Sequence, residues 1–268
     1  MDSREISFQK IGVLVLAGVV LAGSAGCGRR VARKTSIRDA VKKEVLGKEK
    51  DDPTPMTVTG SNSAFTVDNK QGQRVLQAKL KGMEGSMVPG QGVQGAVKMK
   101  GVDALLYDKG KPSMNMTMPT ATWLNKQLIA EQTAHGVSAD KTTVLDAQKA
   151  TWTSEGNIID MEQSKVQGMK AGKVDFTAEG PQAHVQDRWV TMNSGARTHN
   201  ESGQQMTADH MRWQLDTGQL LADGNVMVQE EGTRISGPKL NGNTKLRKGR
   251  FTGRTQVRMK SDRFAKKK

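Results

Sequence analysis

The side chains best suited to acid–base or metal chemistry in this chain are its histidines, and they lie far apart in the sequence. His135, His184, His199 and His210 show none of the close spacings that bring two histidines to one metal ion. The chain also lacks a nucleophile elbow of the Gly-x-Ser-x-Gly type and a glycine-rich phosphate loop. The sequence therefore predicts a protein that is not an enzyme and that uses no metal or other cofactor.

The only cysteine, Cys27, has the surroundings of a lipidation site. Arg4 and Lys10 are followed by 16 uncharged residues, fewer than the roughly 20 that a membrane-spanning helix needs, and a run of this kind is typical of a signal peptide. The small residues at 24–26 resemble the end of a bacterial lipobox, where cleavage frees the cysteine for lipid attachment. Two interpretations remain, a lipid on Cys27 or an uncleaved membrane anchor, and both place the following residues outside the cytoplasm.

Positive charge is concentrated at the two ends of the chain. The formal net charge is +14, yet residues 55–238 hold 18 Lys and Arg against 19 Asp and Glu. Residues 239–268 hold 12 Lys and Arg against one Asp. Because the basic residues are not spread over the chain and the location is extracytoplasmic, no nucleic-acid partner is expected.

The sequence divides into one large domain and three short flanking segments. Residues 1–27 are the signal or anchor, and residues 28–54 are a charged linker in which a capping-box spacing predicts a short helix. Residues 55–260 form the predicted all-β domain. Residues 261–268 are a basic tail that we expect to be disordered.

Strand-like segments repeat along the large domain. Trp123, Trp152 and Trp213 occupy the same place in three hairpin units, and Val185 occupies it in a fourth, with spacings of 29, 33 and 28 residues. In RWQLDTGQLLADGNVMVQ, residues 212–229, apolar residues alternate on both sides of a turn, as in strands with one buried face. Because no long helical period is present, we expect roughly 15 mainly antiparallel strands in an elongated folded sheet or sandwich.

Residues 206–240, from MTADHMRW to RISGPKL, resemble the OstA-like repeat of lipopolysaccharide-export proteins of the LptA–LptC family, above all in the segments ADGNV and ISGPKL. The resemblance implies an antiparallel β-jelly roll folded into a groove that holds the acyl chains of lipopolysaccharide. It also implies a periplasmic protein anchored in the inner membrane, which works with an inner-membrane ABC transporter complex and joins an LptA-like periplasmic bridge protein edge to edge. Two features depart from the family, namely the lipobox-like ending in place of a membrane helix and the greater length.

The candidate lipid-binding groove is lined by large apolar side chains on the predicted inward faces. For each residue alone, an ordinary packed core position is the simpler interpretation, so the prediction depends on the set as a whole. An interior of Met, Val, Leu and Ala adapts well to acyl chains of different lengths. The predicted lining residues are Trp123, Trp152, Trp213, Leu215, Val226, Val228 and Ile235.

The last predicted strand, RFTGRTQVRMK, places Arg250, Arg254, Arg258 and Lys260 on one face. Such a basic face can be a solvated outer surface that repels unwanted strands at a sheet edge. It can also be the edge where a partner strand adds and its cations meet an acidic surface or lipid phosphates.

Two rival functions remain open. One is a structural, β-solenoid-like scaffold of the cell envelope with a dry core. The other keeps the lipid pathway and assigns the chain to its soluble or outer-membrane partner.

Overall fold

The computed structural model describes residues 56–69, 71–88, 92–246 and 249–259, and within them the chain contains strands and turns without a helix. The all-β, mainly antiparallel class predicted from the sequence is confirmed for this part of the chain. Among these residues there is no helix with the length and apolar character needed to cross a bilayer. The anchor with Cys27, the predicted helical linker, Lys260 and the basic tail lie outside the described residues.

The described strands number 18, and eight of them are much longer than the rest. The first half of the chain forms β1 (Met56–Asp68), β2 (Arg74–Val88), β3 (Gly92–Asp108), β4 (Lys111–Leu124), β5 (Gln127–Ala130), β6 (Ala134–Ser138), β7 (Thr143–Ala147), β8 (Lys149–Thr153) and β9 (Ile158–Lys170). The second half forms β10 (Lys173–Gln186), β11 (Trp189–Met192), β12 (Ala196–Asn200), β13 (Gln205–Ala208), β14 (His210–Gln214), β15 (Gln219–Glu230), β16 (Thr233–Asn243), β17 (Gly249–Thr252) and β18 (Gln256–Met259).

These strands form one antiparallel sheet. Each position in the order of strands is occupied either by one long strand or by two short strands that lie end to end. The long strand β4 pairs with β6 along its first half and with β5 along its second half. The pairs β7 and β8 lie in the same way against the two halves of β9. We call the half of the sheet that contains β5, β8, β11, β14 and β17 arm A, and the half that contains β6, β7, β12, β13 and β18 arm B.

A line of bends separates the two arms. Pro119, Pro181 and Pro238 lie at the bends of β4, β10 and β16, where the strand pairing is interrupted and the missing proline N–H costs no hydrogen bond of the sheet. The strand beside each proline bends at a residue with positive φ, such as Gln163 at 49° opposite Pro181. At the bend of β4 the inward alternation steps by three residues, because Met118 and Ala121 are both buried. The sheet is therefore folded along its middle, and its inner faces oppose each other.

The inner face of arm A carries a continuous column of large apolar side chains. The strand register places Trp123 opposite Leu128, which in turn lies opposite Trp152. Four further pairings extend the same column to Trp213. The predicted equivalence of the three tryptophans and Val185 is thus confirmed, and the column runs through Trp123, Leu128, Trp152, Ile159, Val185, Val190, Trp213 and Leu220.

The two arms pack with an offset along the sheet. Trp123 on β4 meets Phe65 on β1, with ring centroids 5.8 Å apart. Trp213 on β14 meets Phe176 on β10 at 4.8 Å. In both contacts the arm B residue comes from an earlier strand, as expected when a twisted sheet folds on itself. The offset leaves the last strands of arm B, β16 and β18, without a described arm A strand to face.

Candidate binding site between the two arms

The space between the arms is filled by the protein's own side chains over most of its length. Trp152, Trp213 and Val226 are 1%, 2% and 0% exposed, and they belong to one continuous cluster of buried apolar residues. Trp123 and Leu215 are partly buried against the same cluster. The predicted lining residues therefore do face one interior, but in this state those in its middle are packed core residues rather than the walls of an open groove.

The two fully buried tryptophans differ in how their indole N–H groups are satisfied. Trp152 Nε1 donates a hydrogen bond to Asn157 Oδ1 at 2.9 Å. Trp213 Nε1 is buried and has no hydrogen-bond partner among the described residues. Its ring also lies so close to Gly168 that an added Cβ there would stand 2.9 Å from the indole. Gly168 is therefore the residue that lets arm B accept the Trp213 ring.

An open cleft interrupts the contact between the arms at the tips of their hairpins. The cleft has a volume of about 460 Å³, within the usual range for small-molecule sites. Its rim is formed by the turn between β3 and β4, the turn between β6 and β7, and the turns that begin β9 and β11. Its floor is apolar and continues into the core through Leu106, Met114, Leu145, Ile159, Val185 and Leu215. We call this opening the mouth cleft.

One ion pair crosses the mouth cleft from arm A to arm B. Arg188, in the turn between β10 and β11, donates from Nη2 to Asp140 Oδ2 at 3.3 Å. Arg188 also donates from Nε to Asp216 Oδ1 at 2.8 Å, within arm A. Asp140 is held within arm B by Ser138 Oγ at 2.6 Å and by Thr142.

The surroundings of this pair favour the ionised form of both side chains. Partial burial raises the pKa of Asp140, but hydrogen bonds from Ser138 and Thr142 and the charge of Arg188 outweigh it and lower the pKa to about 2. The hydrogen bond to Asp216 raises the pKa of Arg188 above its usual value. Both side chains therefore remain charged at neutral pH.

A second polar tie joins the arms farther along the sheet. Asn200, at the end of β12 in arm B, donates from Nδ2 to the carbonyls of Thr244 and Lys245 at 3.3 and 3.0 Å. Its Oδ1 accepts from the backbone N–H groups of Ser202 and Gln204, both at 3.1 Å. Asn200 is 8% exposed, so this tie is shielded from water.

The interior opens to solvent at the end formed by β16 and β18. The register aligns Val228, Ile235 and Val257 in one inward column of arm B. Val228 is 9% exposed, Ile235 is half-buried and Val257 is 54% exposed. Met259, next on the same face, is 59% exposed. The offset between the arms explains this gradient, because these residues extend past the described strands of arm A.

The basic edge differs from its prediction in one respect. The expected single strand is broken at residues 253–255, so that Arg250 lies on β17 and Arg258 on β18, while Arg254 lies in the bend between them. Gly253 makes the bend possible, because its φ is +92° and a Cβ there would stand 2.5 Å from Pro238 Cγ. The three arginines are exposed, and β17 and β18 pair with β16 alone among the described strands.

Among the described residues, no group of three or more His, Cys, Asp and Glu is arranged to hold a metal ion. His135 and His184 each make a 2.7 Å contact with a carboxylate, of Asp146 and Asp160 respectively, on the exposed outer face. These pairs lie on the outer face of the sheet and not between the arms, and we assign them no part in the candidate site.

The chain matches no protein-family model, and no curated protein is significantly similar to it.

Proposed function

We propose that the protein is a membrane-anchored periplasmic component of a lipid-transport bridge. In this proposal it holds the acyl chains of lipopolysaccharide, or of a similar amphiphile, between arm A and arm B and passes them to a partner. It performs no chemical step, and the energy comes from an inner-membrane ABC transporter complex. A lipid on Cys27 or an uncleaved first segment anchors it to the inner membrane.

The observation that carries the proposal is an apolar interior shared by two arms and accessible at two places. The mouth cleft exposes apolar floor residues at one side, and Val257 and Met259 extend the interior to solvent at one end. A hydrocarbon chain that replaces contacts between the arms would remain surrounded by apolar side chains.

The middle of the interior is packed, so an acyl chain can bind there only after the protein has changed conformation. Side chains that are 0–2% exposed leave no room for an acyl chain unless the arms move apart. The inner face of arm A can adapt to this change, because it carries many flexible Met and small Ala side chains, among them Ala150, Met161, Ala183 and Met192. The closed state then protects this surface from water when no lipid is bound.

The two free edges of the sheet suit partners that add strands. Among the described strands, β1 pairs with β2 alone, and β17 and β18 pair with β16 alone. An LptA-like bridge protein at the β17–β18 edge would continue the sheet and cover Val257 and Met259. Arg250 and Arg258 would then meet an acidic face of that partner.

A structural scaffold with a dry core is the second candidate. The near-complete burial of Trp152, Trp213 and Val226 favours it, because a core that never opens needs no guest molecule. This candidate predicts filaments from the purified protein and no bound lipid.

Native mass spectrometry of the full-length protein, extracted from membranes in mild detergent, separates the two candidates. We expect added masses that match acyl lipids. Leu215→Glu, which places a charge on the cleft floor, should remove them. Leu221→Glu on the outward face of β15 is the matched control and should retain them. A lipid-free wild-type protein that forms filaments would support the scaffold instead.

A further inference from the structure

Arg188 and Asp140 each make more hydrogen bonds within their own arm than across to the other arm. Arg188 is fixed to arm A at two points, since it binds Asp216 and its carbonyl accepts a hydrogen bond from Leu215 N at 2.9 Å. Asp140 is fixed to arm B through Oδ1, which accepts from Ser138 and Thr142 at distances of 2.6–3.0 Å. The contact between the arms uses the other carboxylate oxygen, Oδ2, and is the longest of these bonds at 3.3 Å.

This arrangement makes the contact easy to break. When Arg188 and Asp140 separate, Arg188 keeps Asp216 as its ion-pair partner and Asp140 keeps its donors from Ser138 and Thr142. Asp140 loses its ion-pair partner but keeps its hydrogen bonds, and both side chains are more than 40% exposed, so water replaces the lost contact readily.

The tie at Asn200 behaves in the opposite way. Its Nδ2 group joins arm B to the carbonyls of Thr244 and Lys245 in a shielded position. Opening the arms there would take the Nδ2 donor away from both carbonyls and leave Nδ2 only its 2.9 Å bond to Gln204 Oε1, and losing hydrogen bonds in a shielded position is costly. The two ties therefore predict that the arms separate around the mouth cleft and stay joined near Asn200.

We propose that the Arg188–Asp140 pair is a reversible clasp on a lateral gate, through which one hydrocarbon chain passes from the side into the space between the arms. The mouth cleft lies directly beneath the clasp, and its floor leads from Leu106 and Met114 in arm B to Ile159 and Val185 in arm A. Opening of the clasp widens this cleft, and the Asn200 tie serves as the fixed end about which the arms move. This inference rests on the proposed function.

The test measures how fast the full-length protein in detergent takes up dansyl-undecanoic acid, a fluorescent fatty acid. Asp140→Asn preserves the size of the side chain but removes the charge that attracts Arg188. We expect its uptake to be about two- to fivefold faster than wild type, the range set by an exposed ion pair. Asp187→Asn, at a rim carboxylate outside the clasp, is the matched control and should be unchanged.

Two further measurements test the same gate with other readouts. Added salt should accelerate uptake by the wild type and leave Asp140→Asn unaffected, because screening weakens the exposed pair. A short bis-maleimide bridge between Asp140→Cys and Arg188→Cys, in a Cys27→Ser background, should slow uptake at least tenfold relative to either single-cysteine protein.

The outcomes separate the gate from the function on which it rests. If the wild type takes up the probe but the bridged and Asp140→Asn proteins do so at the same rate, the gate is wrong and lipid binding stands. If neither the wild type nor the variants bind the probe, both the gate and the proposed lipid-carrying function are overturned.

Discussion

The rings of Phe176 and Trp213 meet edge to face with their centroids 4.8 Å apart and join arm B to arm A. Trp213 also fills the space left by Gly168, which has no side chain to obstruct the indole. This contact holds the folded sheet closed near its middle, where the interior is packed.

Replacing Trp213 with alanine should therefore destabilise the whole folded sheet. We expect a loss of about 3–5 kcal/mol in the free energy of unfolding, as for other large aromatic residues removed from a core. Urea unfolding followed by circular dichroism measures it. Trp189→Ala, at a half-buried outer position beside Arg212, should cost less than half as much. Equal losses for the two variants would contradict the proposed role of Trp213 between the arms.

The hydrogen bond between Trp152 and Asn157 should contribute to the stability of the fold. Asn157→Ala leaves the buried indole N–H without its acceptor, which should cost about 1–3 kcal/mol. The same unfolding measurement applies. Asn193→Ala changes an exposed asparagine between β11 and β12 and should leave the stability unchanged. A neutral Asn157→Ala variant would show that water or another group satisfies the indole.

The bend at Gly253 should be sensitive to a single methyl group. Gly253→Ala combines a strained positive φ with a Cβ that would overlap Pro238, so β17 and β18 should separate from β16. Hydrogen–deuterium exchange should be faster in residues 249–259 and unchanged in β9 and β10. Gly110→Ala has a similar φ but no atom within 4 Å of the new Cβ, and it should not affect this edge.

The clasp should persist to unusually low pH. The pKa of Asp140 in the folded protein is about 2, below its usual value of 3.8, so its stabilising contribution is complete above about pH 4 and is lost as pH falls through about 2. Because the Asp140 side chain is 47% exposed, solvent screening limits this contribution to about 1 kcal/mol or less. The stability difference between wild type and Asp140→Asn should be constant from pH 7 to about pH 4. If the two proteins were already equally stable at pH 4, the lowered pKa of Asp140 would be contradicted.

Much of the sheet could be predicted from local patterns in the sequence. The alternation in residues 212–229 identifies the buried faces of β14 and β15, because a strand repeats every two residues. The common position of Trp123, Trp152 and Trp213 follows from the repeated hairpin units in which they lie. The bends could not be found in this way. At a bend two successive buried residues are three positions apart, so a search for alternation treats the two halves as one continuous strand. The broken β17–β18 strand is the clearest example.

Contacts between the arms carry no local signal at all. Arg188 and Asp140 are 48 residues apart, and their meeting depends on how the folded sheet is offset. The same offset decides that Val226 is 0% exposed while Val257, in an equally apolar inward position, is 54% exposed. Sequence patterning identifies which side chains point inward but not which of them meet a partner.

Site-specific photo-crosslinking shows whether lipid enters the space between the arms. An aromatic photoreactive amino acid is placed at Trp152, inside the arms, and at Asn225, at an outward bend of β15, in cells that make the full-length protein. We expect the probe at Trp152 to capture acyl lipid and the probe at Asn225 to capture none. Lipid captured only from Asn225, or only protein captured from Trp152, would contradict a lipid-carrying interior.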